Sequence, residues 1–429
     1  MSTNATFTTM LNEFLNSDLV RNTVVDRDYF LKNCKMTDTW KGGTYPVPFY
    51  GGNASSVSFG SLTAAGDIAE DSTVRGQITT QPEMWGSLMF NYKDLIQHDS
   101  SDKRVTFLKN LKRTTGVFAN SMKTMLSVVL TGGPHFASLT ATGGATGDLV
   151  VDKVEMFEIG QKIILRNNDP VSVVGYVQAI NVSTNTVKIY DARTAGSVIN
   201  AAAYTVAKES RCYYPGLCTV TGGVLQNQFT SMRSVLLSNA NGGDASYLGQ
   251  TKATYPFLQA VNADGSDITA ANILEKIFLK YATEIGKKAK NAETGTKAND
   301  CLVSTKNWAN IQIALENYKG QYFVQYPKEE AKAYVYDSIT VSSPSGVRLK
   351  ITCLPEMDDD IIPIVDWKTI EFASNGFVKF IEDVNNPGSI YWYPVRAATG
   401  MSYIVDCAVM GDAVYHNPGA NGIIYGISY

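Results

Sequence analysis

The stretch Gly43-Thr-Tyr-Pro-Val-Pro-Phe-Tyr50 leads into Ser55-Ser-Val-Ser-Phe-Gly-Ser-Leu62, where Val57 and Phe59 alternate with serines. An alternation with a period of two is typical of a β-strand with one apolar face. A loop rich in glycine and small polar residues follows, and Thr73-Val-Arg-Gly-Gln-Ile-Thr-Thr80 has the composition of a returning strand. The pattern therefore predicts a long two-stranded hairpin.

This hairpin spans Trp40 to Asp94 and has no predicted core of its own. An isolated two-stranded ribbon is only marginally stable in water, so we expect it to pack on another copy of the chain. Apolar burial and charge pairing are the two kinds of contact that its residues offer. The predicted inter-subunit contacts are Tyr45, Val47, Phe49, Val57, Phe59, Asp67, Glu70, Asp71, Arg75 and Ile78.

Composition places the chain among globular proteins with a substantial core. It has 429 residues, of which 44% are hydrophobic and 18% are charged, and this predicts two or three domains. No apolar run approaches the roughly 20 residues that a bilayer span needs, and the N-terminal residues lack the pattern of a secretory signal. We therefore expect no membrane partner and synthesis in a cytoplasm.

Charge and cysteine content exclude two further classes of site. The formal net charge is −3 and the pI is about 5.8, so the chain lacks the basic excess of proteins that grip nucleic acid tightly. The six cysteines lack the paired spacings of a zinc site. Cys212 and Cys218 lie close enough in sequence to leave a disulfide open, although a reducing compartment favours buried free thiols.

The clearest helical pattern begins after candidate N-cap residues at 99–101 and continues to Gly132-Gly133. Apolar residues recur at spacings of three and four from Val105 to Val129. The predicted helix, Asp102 to Leu130, would be about 43 Å long at about 1.5 Å per residue.

The rest of the chain predicts an α+β organisation. Residues 137–214 contain short strands separated by turn residues, which indicates a small all-β insertion, either a barrel or a sandwich. Three amphipathic helices are predicted at Val224–Leu237, Thr269–Ala289 and Lys306–Tyr318, and strands return after residue 346.

Each motif that could carry chemistry is better explained as an ordinary element of the fold than as a catalytic or binding site. Asp358-Asp-Asp360 lacks the further carboxylates of a calcium loop and predicts a hydrated turn. Lysines 287, 288 and 290 fit the solvated end of a helix, and Tyr391-Trp-Tyr393 fits a buried or interface strand. The three histidines form no catalytic arrangement. The sequence thus predicts a protein that is not an enzyme and that needs no cofactor or metal.

The order of these elements resembles the major capsid proteins of tailed bacteriophages, which share the Hong Kong 97-like fold. The resemblance covers nearly all the chain except residues 137–214 and rests on element order, not on a sharp motif. It implies six segments. They are an N-terminal arm at 1–39, an extension loop at 40–94, a peripheral domain with a spine helix at 95–136, an inserted β domain at 137–214, a mainly axial domain at 215–366 and strands returning to the periphery at 367–429.

The resemblance also implies a function. Copies would form the pentamers and hexamers of an icosahedral virion shell, assembled in the host cytoplasm around double-stranded DNA that they contact non-specifically. A separate scaffolding protein, a portal and a cement protein are the implied partners. No lysine lies between Gly42 and Tyr92, so the shell would be held together non-covalently. The alternatives are an encapsulin-type compartment and, further away, a carbohydrate-binding adhesin or a hydrolase built on the β insertion.

Overall fold

The computed structural model describes residues 24–25, 28–41, 43–50, 73–91, 101–133, 135–166, 172–194, 196–206, 210–215, 218–221, 224–227, 229–289, 297–317, 323–325, 338–342, 348–382, 390–391, 393–397 and 400–427. The chain divides into two units. The first comprises residues 1–127, 248–250 and 367–417, and the second comprises residues 128–247, 251–366 and 418–429.

A short helix and a three-stranded sheet form one part of the first unit. The helix Tyr29–Asn33 is capped by Asp28, whose carboxylate accepts a hydrogen bond from the Leu31 amide at 2.8 Å. In the sheet, the central strand Ile370–Ala373 pairs in parallel with Lys35–Thr37 and antiparallel with Asp412–Tyr415.

The predicted hairpin is present where the structure describes it. Tyr45–Tyr50 pairs antiparallel with Thr73–Ile78, with Tyr45 opposite Ile78 and Tyr50 opposite Thr73. We call these two strands the ribbon. Among the described residues they form a sheet of two strands only.

A four-stranded sheet follows in the same unit. Glu83–Asn91 pairs along its whole length with Gly400–Met410, whose other edge pairs with Tyr393–Ala397 and Val378–Phe380. One face is apolar and buried, since side chains at alternate positions such as Met84 and Leu88 are almost fully shielded from solvent.

The long helix runs from Ser101 to Thr131, within one residue of its predicted bounds at each end. Its described buried positions include Thr115, Ala119, Met122 and Leu126, which follow the spacing of three and four. Gly86 of the four-stranded sheet lies against this helix. A Cβ atom there would stand 2.6 Å from the Phe118 ring, so only glycine allows the approach.

Residues 135–213 of the second unit form a closed barrel. Six strands pair in the order His135–Ser138, Arg211–Tyr213, Lys162–Arg166, Ser172–Asn181, Thr186–Tyr190 and Asp148–Val150. A bridge between Leu139 and Val151 joins the last strand to the first. The sequence left a barrel and a sandwich open, and the structure has the barrel.

The second unit also contains a seven-stranded sheet, which we call the core sheet. Its strands, in spatial order, are Val261–Asp264, Gly422–Tyr425, Ile361–Val365, Asp300–Val303, Arg348–Cys353, Ser338–Ser342 and Phe323–Gln325. Two helices pack on it: Thr305–Asn317, and a helix that begins at Ile273, passes through a π-helical turn at Tyr281–Ile285 and ends at Lys288.

One predicted helix is wrong. Val224–Asn227 is a strand that pairs antiparallel with Cys218–Thr221, and the helix is confined to Met232–Leu236, where Ser231 forms a capping box. The apolar spacing that suggested a continuous helix is therefore divided between a hairpin and one short turn of helix. A further small pair of strands is formed by Ser246–Tyr247 and Gln250–Thr251. Within the described residues, no helix has the length and apolarity that a membrane crossing demands.

Candidate assembly site

Glu371 anchors the outgoing strand of the ribbon. Its carboxylate accepts hydrogen bonds from the Tyr45 hydroxyl at 3.1 Å and from the Thr37 hydroxyl, and it lies 3.0 Å from Nε2 of His416. Tyr45 also packs on Trp40, with ring centroids 5.3 Å apart. One carboxylate thus joins the start of the ribbon to two elements of the three-stranded sheet.

The donors around Glu371 hold its carboxyl group in the ionised form. The hydrogen bond from His416 is the largest influence, and together with the Thr37 and Tyr45 bonds it outweighs the cost of partial burial. The pKa of Glu371 is lowered from 4.5 to about 2. The anchor is therefore fully charged at neutral pH.

The returning strand is held by the tip of a tight turn at Leu248-Gly249-Gln250. The Gln77 amide donates to the Leu248 carbonyl at 3.3 Å, and Gln250 Nε2 donates to the Arg75 carbonyl at 2.9 Å. Leu248 and Gly249 both have positive φ values, 48° and 82°, which allow the turn to present these groups. We call this contact the clip.

Three of the predicted contact residues of the ribbon are buried within their own chain. Val47 and Phe49 have 0% of their surface exposed and Ile78 has 6%, so their own chain already shelters them. Phe49 packs across the backbone of Gly76, where a Cβ atom would lie 2.5 Å from the ring and 2.9 Å from Leu248 Cβ. The base of the ribbon therefore has a small core, which the sequence did not predict.

The remaining predicted contact residues fall into two groups. Arg75 is exposed and Tyr45 is half-buried through its bond to Glu371. The other predicted contacts lie outside the described residues: Val57, Phe59, Asp67, Glu70 and Asp71. Their part in an interface stays a prediction.

The outward face of the four-stranded sheet exposes large side chains, of which the sequence analysis singled out only Tyr391. Trp85, Met89 and Tyr391 are 54%, 61% and 44% exposed. Tyr391 stacks on Tyr393, whose hydroxyl donates to Asp406 at 2.7 Å and so fixes the tyrosine pair in place. Aromatic residues and methionine are enriched in the cores of protein interfaces, and exposed clusters of this kind mark interaction sites.

The signal for this face is present in the sequence but is ambiguous. Residues 83–91 are apolar at both odd and even positions, so periodicity does not tell which side is buried. In the sheet formed by pairing with Gly400–Met410, Met84 and Leu88 lie on the buried face, so Trp85 and Met89 lie on the exposed face. Tyr391 and Tyr393, predicted to lie in a buried or interface strand, share this outer surface.

A buried ion-pair cluster occupies the turn at Asp358. Its carboxylate accepts a hydrogen bond from Lys153 Nζ at 3.1 Å and one from Arg233 at 3.2 Å, and it lies 3.4 Å from His135 Nε2. Arg233 also binds Asp360 through two hydrogen bonds of 2.9 and 2.7 Å. Lys153 and His135 belong to the barrel, so the cluster ties the barrel to the loop that enters the core sheet.

The predicted hydrated turn at Asp358–Asp360 is therefore wrong for Asp358, which is 8% exposed. Its pKa is held well below the ordinary value of 3.8 because the positive charges of Lys153 and Arg233 outweigh the effect of burial. Burial lowers the pKa of His135 to about 3, so the imidazole is neutral at pH 7. Gly132, at the end of the long helix, leaves room for the Asp358 carboxylate.

Of the two alternatives left open for Cys212, the structure has the free thiol. Cys212 is a free, buried thiol, and burial raises its pKa above the ordinary range. A thiol with a raised pKa is protonated at neutral pH and unreactive.

No family model matches the sequence, and no curated protein matches it. Solved structures do match it along most of its length. The Cyanophage A-1(L) capsid asymmetric unit is similar with 11% identity, 92% of this chain and 91% of that chain covered, and a TM-score of 0.40. The satellite phage P4 procapsid including its size determination (Sid) protein is similar with 9% identity, 96% of this chain and 91% of that chain covered, and a TM-score of 0.39. The capsid of the empty GTA particle is similar with 10% identity, 95% of this chain and 90% of that chain covered, and a TM-score of 0.44.

All three are capsids. Since the TM-scores are below 0.5, we base the functional proposal on the chain's own geometry.

Proposed function

We propose that this chain is a major capsid protein that assembles into the icosahedral shell of a tailed bacteriophage. The observation that carries the proposal is the ribbon, which is held at its base by Glu371 and by the clip while its far end leads into residues 51–72. In the proposed shell, this anchored base sets the direction in which the arm leaves the subunit. A monomer gains nothing from such an arm, whereas an assembly gains a contact to the next subunit.

The outward face of the four-stranded sheet supports the same function. Trp85, Met89 and Tyr391 form an exposed apolar surface, and such surfaces on soluble proteins mark contact sites. In the proposed shell the arm would extend over a neighbour, and this face would lie in a contact between subunits. Obligate interfaces of this kind commonly exceed about 2,000 Å².

The segments carry proposed roles in the shell. Residues 40–94 act as the extension loop, the long helix Ser101–Thr131 as the spine of the peripheral domain, and the core sheet with its helices as most of the axial domain. The barrel at 135–213 enlarges the surface of the subunit, and the ion-pair cluster holds it against the loop at Asp358.

Copies of the chain form pentamers and hexamers in the host cytoplasm and enclose double-stranded DNA in the virion. A scaffolding protein, a portal and a cement protein are the proposed partners. The shell is stabilised non-covalently, because no lysine lies between Gly42 and Tyr92 to supply a covalent link from the arm.

The test is deletion of residues 63–72, the tip of the arm. The expressed full chain, with and without a co-expressed scaffold, should give shells or capsomers in negative-stain electron microscopy. The deletion variant should fold, as judged by circular dichroism, and should not assemble. A persistent monomer from the full chain, or normal particles from the deletion variant, would overturn the proposal. A cargo enzyme in place of DNA inside purified particles would reassign the chain to an encapsulin-type compartment.

A further inference from the structure

The outer edge of the first ribbon strand, Tyr45–Tyr50, carries two prolines. Among the described residues this strand pairs with the returning strand only, so its other side is a free sheet edge. Pro46 lies opposite Gln77 and Pro48 lies opposite Arg75, and both prolines are exposed. A free edge normally presents a row of N–H and C=O groups, on which a strand of another chain can pair.

The clip shows which way the backbone groups of these residues point. The Gln77 amide donates to one residue of the clip and the Arg75 carbonyl accepts from another, so both residues turn their backbone groups away from the first strand. In an antiparallel pair, two residues directly opposite each other turn their backbone groups either both towards the partner strand or both away from it. The two prolines therefore turn their backbone groups outward, to the free edge.

Proline has no backbone N–H, so positions 46 and 48 offer carbonyl acceptors at this edge and no donors. Antiparallel pairing of the edge with the same edge of a second copy, centred on Pro48, would form roughly six backbone hydrogen bonds. The prolines remove about four of them. The opposite edge of the ribbon base is occupied by the clip. Both edges of the base are thus unsuited to receive a strand.

The prolines alternate with residues that keep the ribbon together. Val47 and Phe49 turn their backbone groups towards the returning strand, and their side chains are fully buried. A proline at either of these positions would remove a hydrogen bond of the ribbon itself. The order Pro46-Val-Pro48-Phe therefore blocks the free edge and leaves the pairing within the ribbon intact.

We propose that Pro46 and Pro48, together with the clip, close the base of the ribbon against a β-strand of a second copy. Unassembled subunits then do not pair through their ribbon edges, and the base of the arm meets a neighbour through side chains. Natural proteins use proline in this way to protect exposed edge strands. The purpose given to the closed edge, correct assembly, rests on the proposed shell function.

The test variant is P46T/P48T in the full-length chain. Threonine restores the backbone N–H, suits a strand and adds no large apolar surface. The weight-average mass of unassembled subunits, measured by size-exclusion chromatography with light scattering, should rise at least about twofold through edge pairing. Amide hydrogen exchange at residues 46 and 48 should slow as the mass rises. The control is P355T, which replaces an exposed proline in a turn and should leave the mass unchanged.

Circular dichroism and the thermal midpoint establish that each variant folds. If the double variant does not fold, P46T and P48T are measured singly, and each should give an intermediate mass. A higher mass with slowed exchange at residues 46 and 48 supports the inference. An unchanged mass in a folded variant overturns it. A higher mass without slowed exchange overturns it as well, because the copies then associate through another surface.

Electron microscopy of particles formed by the unmodified chain separates this inference from the shell function. Particles from the unmodified chain, together with an unchanged mass for P46T/P48T, leave the shell function intact and overturn the inference. Absence of particles from the unmodified chain counts against the shell function. The masses of the unassembled subunits would still decide whether the prolines block pairing at the edge.

Discussion

Substitution of Asp358 by asparagine should destabilise the barrel contact strongly, because it removes the shared carboxylate from a buried set of charges. Lys153 would keep its bonds to the carbonyls of Met357 at 2.9 Å and Glu356 at 3.4 Å but would lose its only described carboxylate partner. Removing one partner of a buried ion pair costs about 3–5 kcal/mol. Arg233 retains Asp360, which places the expected loss at the lower end, about 3 kcal/mol.

The assay is urea denaturation of unassembled protein, with the midpoint and the slope both fitted. A double-mutant cycle with K153M isolates the Lys153–Asp358 pair, and a coupling free energy of about 1–3 kcal/mol is expected. Asp267 gives a matched control, since it pairs with Lys276 and Lys280 at an exposed position and D267N should change stability little. The reasoning is refuted if D358N and D267N have the same midpoint, or if the K153M and D358N effects are additive.

Three further predictions concern the ribbon and the sheet face. Glu371 has its pKa lowered from 4.5 to about 2, so its contribution to stability is present above pH 4.5 and lost as the pH falls towards 2; E371Q should flatten the stability-against-pH curve in that window. Gly76→Val should lower the free energy of unfolding by about 1–3 kcal/mol, because the new side chain would overpack against Phe49; thermal unfolding measures the loss. The W85Q/M89Q variant should keep the stability of the subunit and lose particle formation, because both side chains are exposed in the protomer.

Controls for these variants come from the same chain. Gly43→Ala introduces a Cβ atom that meets nothing within 4 Å, so its melting temperature should stay unchanged. Leu279→Gln replaces an apolar residue that is 52% exposed on a different helix. It tests whether the loss of any exposed apolar side chain, at whatever position, impairs assembly. A pH curve for E371Q that parallels the unmodified chain, or normal particles from W85Q/M89Q, would contradict the roles given to these residues.

Local sequence patterns were sufficient to predict the elements that depend mainly on residues close together in the sequence. The long helix was predicted within one residue at each end because its apolar spacing, N-cap and glycine stop all agree. The ribbon strands were predicted from alternation and turn residues. By contrast, Val224–Asn227 has a helical apolar spacing, but its pairing with Cys218–Thr221 makes it a strand.

The parts of the site that depend on distant residues were not predictable. Gly76, against which Phe49 packs, also lies against Leu248, which is about 200 residues away from Phe49, and no periodicity in the sequence predicts such an arrangement. Asp358 looked solvated because three consecutive carboxylates suggest a polar turn, and the residues that neutralise it, Lys153 and Arg233, are far away in sequence. Long-range pairing of this kind becomes visible only when the fold brings the residues together.

The bond between Lys153 and Asp358 also has a consequence for the order of biosynthesis. The two residues are 205 positions apart, so at about 5–20 residues per second the ribosome releases the aspartate roughly 10–40 s after the lysine. During that interval the ammonium group of the nascent barrel lacks its Asp358 partner and must stay hydrated. Translation arrested before residue 358 should therefore leave a polypeptide whose barrel is unattached and open to proteases and chaperones.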